Sequence, residues 1–144
     1  MIDSVTTTNA NVTTTNANVT TTNDFLNAWS TTESLLAAFR EVMADNIVWE
    51  TVGLSRTVGL DAALSAMTTT MGEPVRGFDV EVHHVAAVGN TVLTERFERL
   101  LAVDGSIIFE ATVAAVFDFD STGKISAWRE YQDTIPFAAM ANPA

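Results

Sequence analysis

Residues 91–103, Thr-Val-Leu-Thr-Glu-Arg-Phe-Glu-Arg-Leu-Leu-Ala-Val, have the apolar content of a β-strand but spend Glu95, Arg96, Glu98 and Arg99 on charge at its centre. Alternation puts Val92, Thr94, Arg96, Glu98 and Leu100 on one face, and Leu93, Glu95, Phe97, Arg99 and Leu101 on the other. Both faces are mixed, so parity alone does not say which is buried. A second strand-like stretch, residues 125–134, narrows the choice. Its even positions are Ser126, Trp128, Glu130 and Gln132. A tryptophan two residues before a glutamate sets a carboxylate beside a large apolar surface, which raises its pKa and suits it to acid or base work near neutral pH. If Arg96 and Glu98 point into the same interior as Glu130, the result is an acid–arginine–acid site. One guanidinium would hold both carboxylates by charge-assisted hydrogen bonds and let them differ in protonation. The competing interpretation is a solvated face, the usual fate of charges at i and i+2 on a strand.

Other polar residues carry less. By parity His84 shares an apolar face with Phe78, Val80 and Val82 and is expected in the core. His83 faces outward with Asp79 and Glu81. Adjacent histidines on opposite faces of a strand make a poor metal site. Trp29, Phe39, Trp49 and Phe109 are expected in the core or in a pocket wall.

These strands need a scaffold. Residues 1–22 repeat Val-Thr-Thr-Thr-Asn with period seven and carry too few apolar positions for a coiled-coil seam, so a polar tail is expected, with the domain running from 23 to 144. Asn23 is a candidate cap for a short helix bearing Phe25, Leu26 and Trp29. Ser30 and Glu33 form a candidate capping box for a second helix, with Leu35, Leu36, Phe39, Val42 and Met43 on its apolar face. Residues 46–52 read as a strand and 59–71 as a helix. Four strands over 77–88, 91–103, 106–119 and 124–132 are separated by Gly89-Asn90, Asp104-Gly105 and Ser121-Thr122-Gly123, the signature of an antiparallel meander. The class is α+β, with helices covering one face of a curved sheet and a pocket between them.

Composition sets the class of partner. The chain has 144 residues, 47% of them hydrophobic, and its net charge of −11 opposes binding to nucleic acid or to anionic membranes. A small apolar substrate fits that balance better than a phosphate-rich one. There is no cysteine, so disulfides and thiolate chemistry are excluded. With neither a secretory pattern nor a membrane-length apolar run, a cytoplasmic location is expected.

The segments Val-Leu-Thr-Glu-Arg-Phe-Glu-Arg-Leu (92–100) and Gly-Lys-Ile-Ser-Ala-Trp-Arg-Glu-Tyr (123–131), in this order of elements, resemble the limonene-1,2-epoxide hydrolase group of the NTF2-like (SnoaL-like) superfamily. Gly59-Leu60-Asp61-Ala62-Ala63 is similar to the segment that opens that family's third helix. The resemblance covers residues 23 to about 135 and implies a cone-shaped fold, N-terminal helices packed in a curved, mainly antiparallel sheet, and a homodimer. The outward face bearing Glu95, Phe97 and Arg99 would be its contact surface. The resemblance also implies one-step epoxide opening with no metal, cofactor or covalent intermediate. Arg96 would bridge, Glu98 would protonate the epoxide oxygen, and Glu130 would take a proton from water. The family's carboxylates are aspartates; here both are glutamates. Its water-holding tyrosine and asparagine fall on Trp49 and Thr51, with Trp128 in the pocket wall. Indole cannot accept a hydrogen bond. A cyclase or isomerase of the same superfamily and a non-catalytic binding module are therefore the alternatives.

Overall fold

A computed structural model of the chain describes residues 16–136; residues 1–15 of the threonine-rich repeat and residues 137–144 lie outside that range. The elements are α1 (Ala17–Leu26), α2 (Thr32–Val42), β1 (Met43–Thr51), β2 (Ser55–Val58), α3 (Leu60–Thr70), β3 (Val75–Val88), β4 (Thr91–Ala102), β5 (Ile107–Phe119) and β6 (Ile125–Tyr131). The six strands form one sheet in the order β2-β1-β6-β5-β4-β3. The meander from β3 to β6 is antiparallel as expected. β1 runs parallel to β6 and closes the far side, with the unforeseen short β2 as its antiparallel partner.

The first helix starts earlier than its composition suggests. Asn16, not Asn23, is the cap, its Oδ1 accepting from the backbone N–H of Asn18 at 2.9 Å and of Val19 at 3.3 Å. Val19 and Thr22 are buried, and the Thr22 hydroxyl donates to the Asn18 carbonyl at 2.8 Å, which removes the cost of hiding it. Packing of one face outweighs the weak helix propensity of threonine and asparagine. The second cap is also displaced by one residue: Thr31 and Ser34 satisfy each other's backbone N–H groups, in place of Ser30 and Glu33.

Phe25, Phe39, Trp29, Trp128 and Phe117 form an aromatic nucleus between the helices and the concave face. The Phe25 ring lies 5.3 Å from Trp29 and 5.4 Å from both Phe39 and Trp128. β3 reaches this nucleus through Gly77. A Cβ there would sit 2.2 Å from the Ser30 carbonyl oxygen, so only glycine lets the strand touch the α1–α2 connection. The adjacent Phe78 N–H donates to the Trp29 carbonyl at 2.8 Å, tying that connection to the sheet.

His84 is not a core residue. The β3–β4 register shifts between Val82 and His84, a bulge that inserts one residue and inverts the alternation beyond it. Val85 takes the buried position, while His84 is exposed and pairs with Glu95 at 2.8 Å. His83 pairs with Glu81 at 2.8 Å.

Candidate active site

β4 turns its even face inward. Thr94, Arg96, Glu98 and Leu100 are buried, whereas Leu93 and Glu95 are exposed on the outer face. Register carries the site across three strands. On β5, Ala111 stands opposite Glu98 and Val113 opposite Arg96, while Ala115 separates Thr94 from Glu130 of β6. These small side chains leave space over β5 for the Arg96 side chain to cross to the neighbouring strand.

Arg96 joins the two acids. Its Nε donates to Glu98 Oε1 at 2.7 Å and its Nη2 to Glu130 Oε2. Its Cζ lies 5.0 Å from the Trp29 ring centroid, a cation–π contact that covers one side of the guanidinium. Arg96 is 1%, Glu98 3% and Glu130 6% exposed, so the solvated-face interpretation does not apply to these three. Nη1 of Arg96 is buried without a hydrogen-bond partner among the described residues.

Two buried carboxylates share one buried cation, so full ionisation would leave an uncompensated negative charge in a low-dielectric site. Burial pushes the Glu98 carboxyl above the ordinary glutamate range, the Arg96 charge only partly opposes this, and the Glu130 charge adds to it, so Glu98 is the acid of the pair biased toward its protonated form. Arg96 loses hydration by burial, but Glu98 and Glu130 more than restore its charge and hold the guanidinium firmly protonated.

β1 supplies the opposite wall. Parallel pairing sets Trp49 beside Trp128 and Thr51 beside Glu130. Trp49 stacks on Trp128 at 5.1 Å and 12°, and Trp128 stacks in turn on Phe117 at 5.4 Å and 21°. The Trp49 Nε1–H donates to Glu130 Oε1 at 3.3 Å. The Thr51 hydroxyl lines the cavity and makes no hydrogen bond among the described residues.

The cavity has a volume of about 200 Å³. Trp29, Trp49, Trp128, Phe78 and Met67 form its apolar wall; Thr51, Arg96, Glu98, Glu130 and Gln132 give it polarity; Leu54, Ser55 and Thr70 complete the lining. All six site residues expected from the sequence thus meet in one place. Phe78, Met67 and Gln132 were not singled out, although Gln132 follows Glu130 with the same parity. Leu54 comes from the β1–β2 turn and Ser55 from the first position of β2, a stretch without a strand signal in the sequence. Phe39 lies in the core, and Phe109 packs at its edge, 6.5 Å from Phe78. Among the described residues no group of three or more His, Asp or Glu side chains could hold a metal ion, and no helix is long and apolar enough to cross a membrane.

Comparison with known proteins defines the fold and the family. A SnoaL-like protein from Jannaschia sp. CCS1 has the same fold at 15% identity, with a TM-score of 0.69 over 88% of this chain and 93% of that one. An LEH-like epoxide hydrolase from Mycobacterium tuberculosis is similar at 28% identity and a TM-score of 0.66, over 88% of this chain and 96% of its own. The fold is therefore the SnoaL-like, NTF2-like α+β fold. Residues 16–140 match the model of the limonene-1,2-epoxide hydrolase catalytic domain, and the chain belongs to that family. Epoxide hydrolase EphG of Mycobacterium tuberculosis (strain ATCC 25618 / H37Rv) is 35% identical over 91 residues, 63% of this chain and 58% of the relative, so the match spans less than two thirds of EphG.

Proposed function

We propose that this protein is an epoxide hydrolase that adds water to a small, largely apolar epoxide in one step to give a vicinal diol. The observation that carries this reading is the buried Glu98–Arg96–Glu130 array at the wall of an aromatic cavity. Glu98, biased toward its protonated form by burial, donates its proton to the epoxide oxygen as the C–O bond breaks. Glu130 accepts a proton from water as its oxygen bonds to the ring carbon. The proton lost by Glu98 is balanced by the one gained by Glu130, and Arg96, hydrogen-bonded to both, keeps them oriented through the exchange. Thr51, beside Glu130 and with a hydroxyl unpaired among the described residues, is suited to hold the attacking water. Trp49 and Trp128 form the apolar wall against which the substrate's hydrocarbon rests.

The test is incubation with terpene, styrene and cyclohexene oxides in water labelled with oxygen-18. Labelled diol is expected from the native protein and none from Glu98→Gln. Diol formation that survives Glu98→Gln removes the assignment of the acid. Absence of diol from every epoxide favours a second reading, a cyclase or isomerase in which a substrate hydroxyl or carbanion replaces water. One observation supports that alternative: the Trp49 N–H is directed at Glu130 and offers water no acceptor.

The same reading includes a cytoplasmic enzyme and a homodimer joined by the outer faces of β4 and β5. Glu95, Phe97 and Arg99 lie there, with exposed Leu93 and Tyr131 on the same side. A single-chain mass by light scattering at working concentration would remove the dimer.

A further inference from the structure

Trp49 occupies a position where a water ligand was expected, yet its only polar group is committed elsewhere. Its Nε1–H donates to Glu130 Oε1, while Arg96 holds Oε2 of the same carboxylate. Both oxygens of Glu130 are therefore engaged by fixed donors, and the plane of the carboxylate is set from two sides. The indole is itself immobilised. It stacks within 12° of parallel on Trp128, which is 1% exposed and stacked on fully buried Phe117, and it takes the Phe39 ring edge-on at 5.7 Å. Three stacked rings that span β5, β6 and β1 thus end in one directed N–H.

We infer that Trp49 is a positioning residue for Glu130, a role that rests on the proposed hydrolase reading. Its N–H fixes which lone pair of the carboxylate faces the cavity, and so where the water proton is received. The water keeps the remaining lone pairs of Glu130 and the Thr51 hydroxyl as its partners. This division follows from chemistry: indole can only donate, and a carboxylate with two donors still has capacity to accept a proton. The function of the side chain on β1 passes from holding the nucleophile to holding the base.

The inference is tested in two ways, one of them independent of turnover. Of the three indole cross-peaks in a ¹H–¹⁵N correlation spectrum, Trp49→Phe removes one and so assigns it. In Glu130→Gln, where a neutral amide replaces the charged acceptor, the Trp49 peak should move upfield by more than those of Trp29 and Trp128. The kinetic arm uses Trp49→Phe and a site-specific benzothienylalanine at 49, which keeps both fused rings and exchanges N–H for sulfur. In both, kcat for diol formation should fall about ten- to a hundredfold with KM nearly unchanged, the size expected for one hydrogen bond to a charged group realised at the chemical step. A Trp49 peak that moves no more than the other two, or native kcat in the benzothienylalanine protein, overturns the inference. If the native protein forms no diol at all, the hydrolase reading fails, whereas the spectrum still decides whether Trp49 holds Glu130.

Discussion

The raised pKa of buried Glu98 links stability to pH in an unusual direction. Its folded carboxyl titrates above the ordinary glutamate range, so between the unfolded value and the raised one the native state holds a proton that the unfolded chain has released. Stability from this group is full at acid pH and falls as pH rises through the window. Glu98→Gln, neutral throughout, should lose that slope and be at least as stable as the native protein near neutral pH. Urea titrations between about pH 4 and about pH 8 would show it, and parallel slopes for the two proteins would contradict it. Arg96 has the opposite sensitivity. Arg96→Met leaves two buried carboxylates without their shared cation, Glu130 keeping only the Trp49 N–H, and should cost about 3–5 kcal/mol by urea denaturation, with part of the loss recovered in the Arg96→Met/Glu98→Gln double variant. The identities of all three residues were legible in the sequence, but their burial was not. β4 has a charged pair on each face, and what distinguishes them is the partner they meet in the fold: Glu130 of β6 for Arg96 inside, Glu110 of β5 for Arg99 outside.

Elements position these residues through a few close approaches. Gly77 brings β3 against Ser30 and Thr31, and the neighbouring backbone bond from Phe78 to Trp29 fixes the indole that lies over Arg96. Gly77→Ala must displace backbone, because the atoms it would meet belong to the main chain. A loss of about 3 kcal/mol or more is expected, together with a shift in Trp29 fluorescence; a loss below about 1 kcal/mol would show that the connection can retreat. At the other end of α1, Asn16→Ala should cost about 1 kcal/mol in thermal or urea unfolding, and no change would mean that the helix begins later. Neither feature could be read from sequence. Threonine and asparagine runs have no helical pattern until Val19 and Thr22 find the core. The bulge near His83 defeats parity because one inserted residue reverses every assignment after it. β2, four residues long, is a strand only because β1 offers it an edge. The long strands and α2 were legible because their periodicity extends over ten residues or more.

At the scale of the molecule, a net charge of −11 on 144 residues makes the compact state repel itself. The midpoint of thermal unfolding should rise between low salt and about 0.15 M as screening shortens to about 8 Å, and an unchanged midpoint would mean that local ion pairs already balance the surface. The order of strands has another consequence. β6 is the last described strand in sequence but lies inside the sheet, between β1 and β5. Glu130 joins Arg96 across 34 residues and Trp49 across 81. During synthesis, helices, β1 and the β3–β5 meander emerge first with two open edges, and Arg96 and Glu98 wait without their second acid. Parallel pairing at such separation closes slowly, since the entropy of the intervening loop is lost before any contact forms. A nascent chain stalled before β6 would therefore have sticky edges and an incomplete site, and the acid–arginine–acid array and the continuous sheet would appear together when β6 slots into the middle.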